Sequence, residues 1–170
     1  MHEAGFETGP CYLAASLPLL CRGLGETEGY LSDAALLGRG RRRRDDGLFR
    51  VGYGEAPVSQ VRWLPKGHAA GAEGSALLRR PARVAVLPVG YQNGLGVMPQ
   101  YGESLPDALR RWWAGRRLTV RIGGQPVKIL GKIGAAETLL DVTNLKCAAG
   151  DLAVFDLDPL YAKGLKREYR

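Results

Sequence analysis

Leu118-Thr119-Val120-Arg121-Ile122 and Pro126-Val127-Lys128-Ile129-Leu130 alternate apolar and polar residues on either side of Gly123-Gly124. A period of two puts successive side chains on opposite faces of a strand, and a Gly-Gly pair supplies the left-handed turn that joins two antiparallel strands tightly. A hairpin is therefore expected here. The same texture runs through the chain from about residue 50. Val58-Ser59-Gln60-Val61-Arg62-Trp63 is rich in strand formers and closes at Pro65-Lys66-Gly67. Arg83-Val84-Ala85-Val86-Leu87-Pro88-Val89 reads as a mostly buried strand that ends in Gly90-Tyr91-Gln92-Asn93-Gly94, where Asn-Gly signals a turn. Glu137 to Thr143 is a further strand, and Gly150-Asp151 turns into Leu152-Ala153-Val154-Phe155-Asp156-Leu157. One short helix is expected between Ser104 and Gly115. Ser104 caps it, Pro106 suits the first turn, Asp107 complements the dipole, and Leu105, Leu109, Trp112 and Trp113 form one apolar face. Six to eight short strands with one helix predict a mainly β fold, an antiparallel β-barrel-like domain.

Residues 46–170 are assigned to this domain. Residues 1–45 are Gly-interrupted and irregular, and Arg41-Arg42-Arg43-Arg44-Asp45-Asp46-Gly47 reads as a solvated boundary loop. The tail from Lys163 to Arg170 is charged and is expected to fray in part. The apolar fraction of 45% supports a core. No stretch approaches the roughly 18 apolar residues of a membrane span, and the first thirty residues lack a basic segment ahead of an apolar run. Three cysteines, Cys11, Cys21 and Cys147, form no C-x-x-C pair, which fits a reducing, cytoplasmic setting rather than a disulfide framework. His2 and His68 stand apart from one another and from the cysteines, so no metal site is expected.

Few residues suggest chemistry by themselves. The net charge is +7, and Arg41–Arg44 is the one run that could bind phosphates. Two aspartates follow it and no aromatic-and-basic motif accompanies it, so a nucleic-acid partner is the weaker reading. Trp112 and Trp113 suit a core face better than a stacking platform. Gly90, Gly94 and Gly96 lack the helix start that a phosphate loop needs. No Ser/His/acid set is evident.

Residues 58–68 and 80–94 together resemble the C-terminal β domain of alanine racemases. Ile129-Leu130-Gly131-Lys132-Ile133-Gly134, Leu140-Asp141-Val142-Thr143 and the Gly150-Asp151 turn match the same domain in the same order. Residues 11–39 are similar to the last strands of that family's pyridoxal-phosphate barrel. A complete barrel takes about 250 residues, so its front cannot fit within this chain. The resemblance implies a Schiff-base chemistry in which the cofactor is the electron sink and the protein supplies two bases on opposite faces. One is the cofactor lysine, near the start of the barrel, and no residue here inherits that role. The other is a tyrosine of the β domain that reaches into the partner subunit. A gap-free carry-over places it at Ala72, whose methyl group has no titratable proton.

Other positions depart in the same direction. The family's Met and polar residue after the Gly131–Gly134 run correspond to Ala135 and Ala136. The Arg on the cofactor ring nitrogen corresponds to Leu31, which cannot donate that bond. Ser16 matches a phosphate-contacting serine, and Tyr91 matches a tyrosine of the substrate corridor, although an aromatic packed beside the Asn93-Gly94 turn accounts for Tyr91 equally well. No catalytic residue is therefore expected. Ser16, Tyr91, Ala135 and Ala136 are the candidates for a relic pocket. The expected role is a binding or assembly module without activity of its own. The expected partner is a second copy or a pyridoxal-phosphate barrel protein, with the cofactor present only if such a barrel supplies it. One half of a split racemase is the alternative, and a split enzyme would still need its proton-transfer base.

Overall fold

The computed structural model describes residues 12–13, 29–30, 36–38, 49–97 and 118–169. The chain divides into two compact units, Met1–Val51 and Gly52–Arg170. In the first, the strands β1 (Tyr12–Leu13) and β2 (Gly29–Tyr30) pair in parallel, Tyr12 with Gly29 and Leu13 with Tyr30. The expected helix at 104–115, the Arg41–Arg44 loop, Ser16 and Leu31 lie outside the described residues.

The second unit is built on β3 (Tyr53–Pro57), β4 (Gln60–Leu64), β5 (Ala69–Ala70), β6 (Ala76–Leu77), β7 (Ala82–Leu87), β8 (Val120–Ile122), β9 (Gln125–Ile129), β10 (Thr138–Asp141) and β11 (Leu152–Asp156). Seven of these form one antiparallel sheet in the order β3-β11-β8-β9-β10-β7-β4, and β5 and β6 form a small separate hairpin. The fold is mainly β, as expected; among the described residues the helical elements of this unit are two short 3₁₀ turns, Ala72–Gly74 and Tyr91–Asn93.

Consecutive strands β3 and β4 lie at opposite edges of this sheet, joined only by Val58 and Ser59. That corner bonds both edges. The Val58 amide donates to the Asp151 carbonyl (2.9 Å), Gly150 donates to the Val58 carbonyl (2.8 Å), and the Ser59 amide and hydroxyl both donate to the Val86 carbonyl (2.9 and 3.0 Å). The two-residue link between its edge strands curls the sheet into a half-barrel.

Strand alternation divides the apolar residues between two cores. Ala85, Leu87 and Val89 join Val120, Ile122, Leu140, Val142, Ala153 and Phe155 in the main core. Ala82 and Val84, on the other face of β7, pack with Leu64, Ala70, Leu78 and Leu130 beneath the β5–β6 hairpin. With both faces covered, β7 needs the near-continuous apolar run its sequence provides. The fully buried Thr138 hydroxyl donates to the Val89 carbonyl at 2.7 Å, so its burial leaves no orphan donor.

The hairpin at Gly123-Gly124 forms as expected. Val120 pairs with Val127 and Ile122 with Gln125, and both glycines take positive φ, 57° and 79°. The first part of the tail is tied down. Asn93 Nδ2 donates to the Lys163 carbonyl, the Lys163 amide donates to the Asn93 carbonyl, and Leu165 packs on the main core. No helix among the described residues is long and apolar enough to cross a membrane.

Candidate functional site

Residues 130–137 form a loop between β9 and β10, closed at its base by the Leu130 amide on the Leu139 carbonyl (2.8 Å) and the Gly134 amide on the Glu137 carbonyl (3.0 Å). Two turns attach to this loop, the second through backbone and the first through backbone and side chains together.

The first turn is the tip of the β5–β6 hairpin, residues 71–75. The Ala72 amide donates to the Lys132 carbonyl (3.0 Å), and the Ser75 hydroxyl accepts the Lys132 amide (2.7 Å). Gly71 and Gly131 pack back to back. A Cβ on Gly71 would stand 2.7 Å from the Leu130 carbonyl oxygen, and one on Gly131 would stand 2.6 Å from the Ser75 hydroxyl. Both have positive φ, so glycine is required twice over. Glu73 also sits in the left-handed region (φ 56°), and its carboxylate lies 3.5 Å from the Lys132 ammonium, both side chains largely exposed.

The second turn is the 3₁₀ segment Tyr91–Asn93. The Tyr91 amide donates to the Gly134 carbonyl (2.9 Å) and the Gln92 amide to the Ala135 carbonyl (3.0 Å), while the Asn93 side chain accepts the Gly90 amide (3.1 Å). Gly94 closes the turn at φ 96°.

Ala72, Tyr91, Ala135 and Ala136, which lie far apart in sequence, are thus carried by one loop and the two turns bonded to it. Ala72 and Ala135 are half-buried, and Ala136 is exposed. Tyr91 is 54% exposed, so its ring projects from the turn instead of packing into the core. Ser16, the other pocket candidate, is not among the described residues. Spacing did not reveal the Glu73–Lys132 pair or the Ser75 bond; the signal that would have found them is the matched pair Gly71 and Gly131.

This loop does not suit an internal Schiff base. All described lysines are exposed, and the nearest to Ala72 in the bonding pattern, Lys132, faces a carboxylate in water. An imine-forming lysine needs a sheltered, deprotonated amine. A perturbed thiol lies elsewhere. Burial pushes the Cys147 thiol above its ordinary pKa, and nearby Asp151 adds to the rise while Arg83 opposes it. Arg83 holds that segment, donating to the Leu145 and Cys147 carbonyls at 3.3 and 2.6 Å.

The curled sheet, the corner at Val58-Ser59 and the three-part loop cluster define a mainly β half-barrel domain. The family model of the alanine racemase C-terminal domain matches residues 51–158, and the chain belongs to that family. Over 89 residues it is 32% identical to the alanine racemase of Acidiphilium cryptum (strain JF-5), a match covering 52% of this chain and 21% of that protein. The structure of alanine racemase from Streptomyces lavendulae superposes with a TM-score of 0.67 at 18% identity, covering 92% of this chain and 38% of that one. Alanine racemase from Bartonella henselae, solved with covalently bound pyridoxal phosphate, gives 0.61 at 25% identity, with 92% and 40% covered. The chain spans about two fifths of the length of these solved racemases.

Proposed function

We propose that this domain is a binding or assembly module of the alanine racemase family without catalytic activity of its own. It docks a pyridoxal-phosphate barrel through the face formed by residues 71–75, 91–93 and 132–136. The observation that carries this reading is Ala72. The family resemblance assigns a proton-transfer tyrosine to its position, and the Ala72–Lys132 and Lys132–Ser75 bonds hold that position in a defined place on the loop cluster. A methyl group moves no proton. General acid–base groups contribute typically about 10²–10⁴-fold each, so a chain lacking both bases is expected to show no rate above that of free cofactor.

The test is a coupled D-alanine assay on the purified chain with L-alanine and pyridoxal phosphate, with borohydride reduction and peptide mapping alongside. The expected result is no turnover beyond cofactor in buffer, and only scattered, substoichiometric lysine labelling. Turnover with one stoichiometric adduct would refute the reading. Turnover that appears only when a separately produced racemase barrel is added would favour one half of a split enzyme.

A further inference from the structure

We infer that the end of the sheet bearing Trp63 is a binding surface for single-stranded nucleic acid, with Trp63 as the platform on which a base stacks and the cations around it as the phosphate contacts. This surface shares no residue with the loop face proposed above or with Arg41–Arg44. Trp63 is 62% exposed, although tryptophan is on average a highly buried residue. It stands on β4, the last strand of the sheet, so it has a neighbouring strand on one side only. Register places it opposite Arg83 on β7. The Arg83 guanidinium donates to the Leu145 and Cys147 carbonyls (3.3 and 2.6 Å), which holds the exposed Lys146 between them at the same end of the sheet.

The next residues along both strands add charge. Leu64 pairs with Ala82, and two residues beyond each of them stand Lys66 and Arg80. A chain covers at most about 3.6 Å per residue, so each of these Cα atoms lies within about 11 Å of its own member of the Trp63–Arg83 pair. The Gly67 amide donates to the Leu78 carbonyl (2.8 Å) and the Leu78 amide to the His68 carbonyl (2.9 Å). The loop bearing Lys66 is thereby tied to the one bearing Arg79 and Arg80, and Arg62, Lys66, Arg79 and Arg80 are all exposed. From Val58 to Val84 the chain carries five Lys and Arg against one carboxylate, Glu73, which sits at the tip of the β5–β6 hairpin beside Lys132. The carboxylates of neighbouring segments are engaged locally. Asp141 accepts the Thr143 amide and hydroxyl (3.0 and 2.6 Å), and Asp151 accepts the Ala148 amide (2.8 Å). Clustered cations alone attract any polyanion. An exposed indole among them selects unpaired bases, because stacking needs a free base face that a duplex does not offer.

Fluorescence anisotropy of the full chain with a fluorescein-labelled oligothymidylate of about 12 nucleotides, between about 50 and 200 mM salt, tests this. Wild type is expected to bind in the range of about 1–100 µM. The logarithm of its affinity should fall with the logarithm of salt at a slope reaching about −3.5 if Arg62, Lys66, Arg79, Arg80 and Lys146 all engage, at ~0.7 per phosphate. Trp63→Ala should weaken binding at least about fivefold and leave the slope unchanged, since stacking releases no counterions; Trp63→Phe should recover most of the loss. Arg79→Gln combined with Arg80→Gln should make the slope shallower by about 1.4. Lys163→Gln combined with Lys166→Gln, on the tail, should change neither affinity nor slope. Circular dichroism should show every variant folded, since all the substituted side chains are exposed. No binding at about 100 µM protein in the lowest salt, a Trp63→Ala variant without effect, or tail substitutions as damaging as those at Arg79 and Arg80 would each overturn the inference. So would a duplex or poly-glutamate that competes as well as the single strand. Loss of binding confined to a variant carrying Arg41→Gln, Arg42→Gln, Arg43→Gln and Arg44→Gln would overturn it too and move the contact to that run.

Discussion

Gly90→Ala isolates what holds the Tyr91 turn against the 130–137 loop. Gly90 has an extended backbone (φ −136°, ψ −165°) that alanine adopts freely, so no conformational cost confuses the result. The cost comes from space. A Cβ at Gly90 would lie 2.3 Å from the carbonyl oxygens of both Gly134 and Ala135. Those atoms belong to backbone and cannot swing aside as a side chain could. They are also the acceptors for the Tyr91 and Gln92 amides. Making room for the methyl therefore stretches both bonds. Overpacking costs about 1–3 kcal/mol, and two weakened hydrogen bonds add about 1 kcal/mol each. The expected destabilisation is about 3–5 kcal/mol. With a urea slope near 2 kcal/mol/M, the midpoint should fall by about 2 M. Amide exchange localises the effect: Tyr91 and Gln92 should lose protection before the β7 amides do. A midpoint within experimental error of wild type, with both amides still protected, would refute the claim that these two backbone bonds join the turn to the loop.

Gly123→Ala and Gly124→Ala test the opposite case, because a Cβ at either meets nothing within 4 Å and only the positive φ is at stake; each should cost about 1–2 kcal/mol, with Gly123→Asn costing less, measured by thermal unfolding. Arg83→Met removes the donors to the Leu145 and Cys147 carbonyls; it should destabilise by about 2–3 kcal/mol in urea titration, and Arg83→Lys should recover only part of that. The Cys147 pKa is raised in the folded chain, so its neutral thiol favours folding. That contribution is fully present below the unfolded thiol value of about 8.5 and is lost as pH rises through the folded value. Denaturation midpoints should therefore fall on the alkaline side, and Cys147→Ala should flatten the fall.

Most of the strands that were legible in the sequence are those whose own side chains fill the core. β8 and β9 announce themselves by apolar alternation and β7, β10 and β11 by short apolar runs, while β4 shows only its strand formers; the Gly123-Gly124 and Gly150-Asp151 turns mark where strands end or begin. β3 gave no such signal. Its inward residues are Gly54 and Ala56, and the volume at that point is supplied by Phe155 on β11, whose ring would lie 2.1 Å from a Cβ on Gly54. A strand that lends its backbone as a seat for a neighbour's aromatic has nothing apolar to display. β5 and β6 were invisible for a related reason, being two-residue strands made mostly of alanine. For the candidate site, resemblance pointed to Ala72, Tyr91, Ala135 and Ala136, while their convergence on one loop depends on long-range backbone bonds that no local pattern encodes.

Those bonds also bear on how a racemase-family β domain tolerates alanine at positions 72, 135 and 136. Ala72 contributes its amide, Ala135 its carbonyl, and the contacts between the turns and the loop are otherwise made by Ser75, Asn93 and closely packed glycines. None of the bonds that join the turns to the loop uses an alanine side chain, while Leu130 and Ile133 tie the same loop to the two cores. Those bonds therefore do not depend on the side chain at these three positions, whereas Gly71, Gly90 and Gly131 are not free to change. On the proposed reading, backbone bonds and closely packed glycines keep the cluster in shape, and a surface held in that way is what a docking module requires.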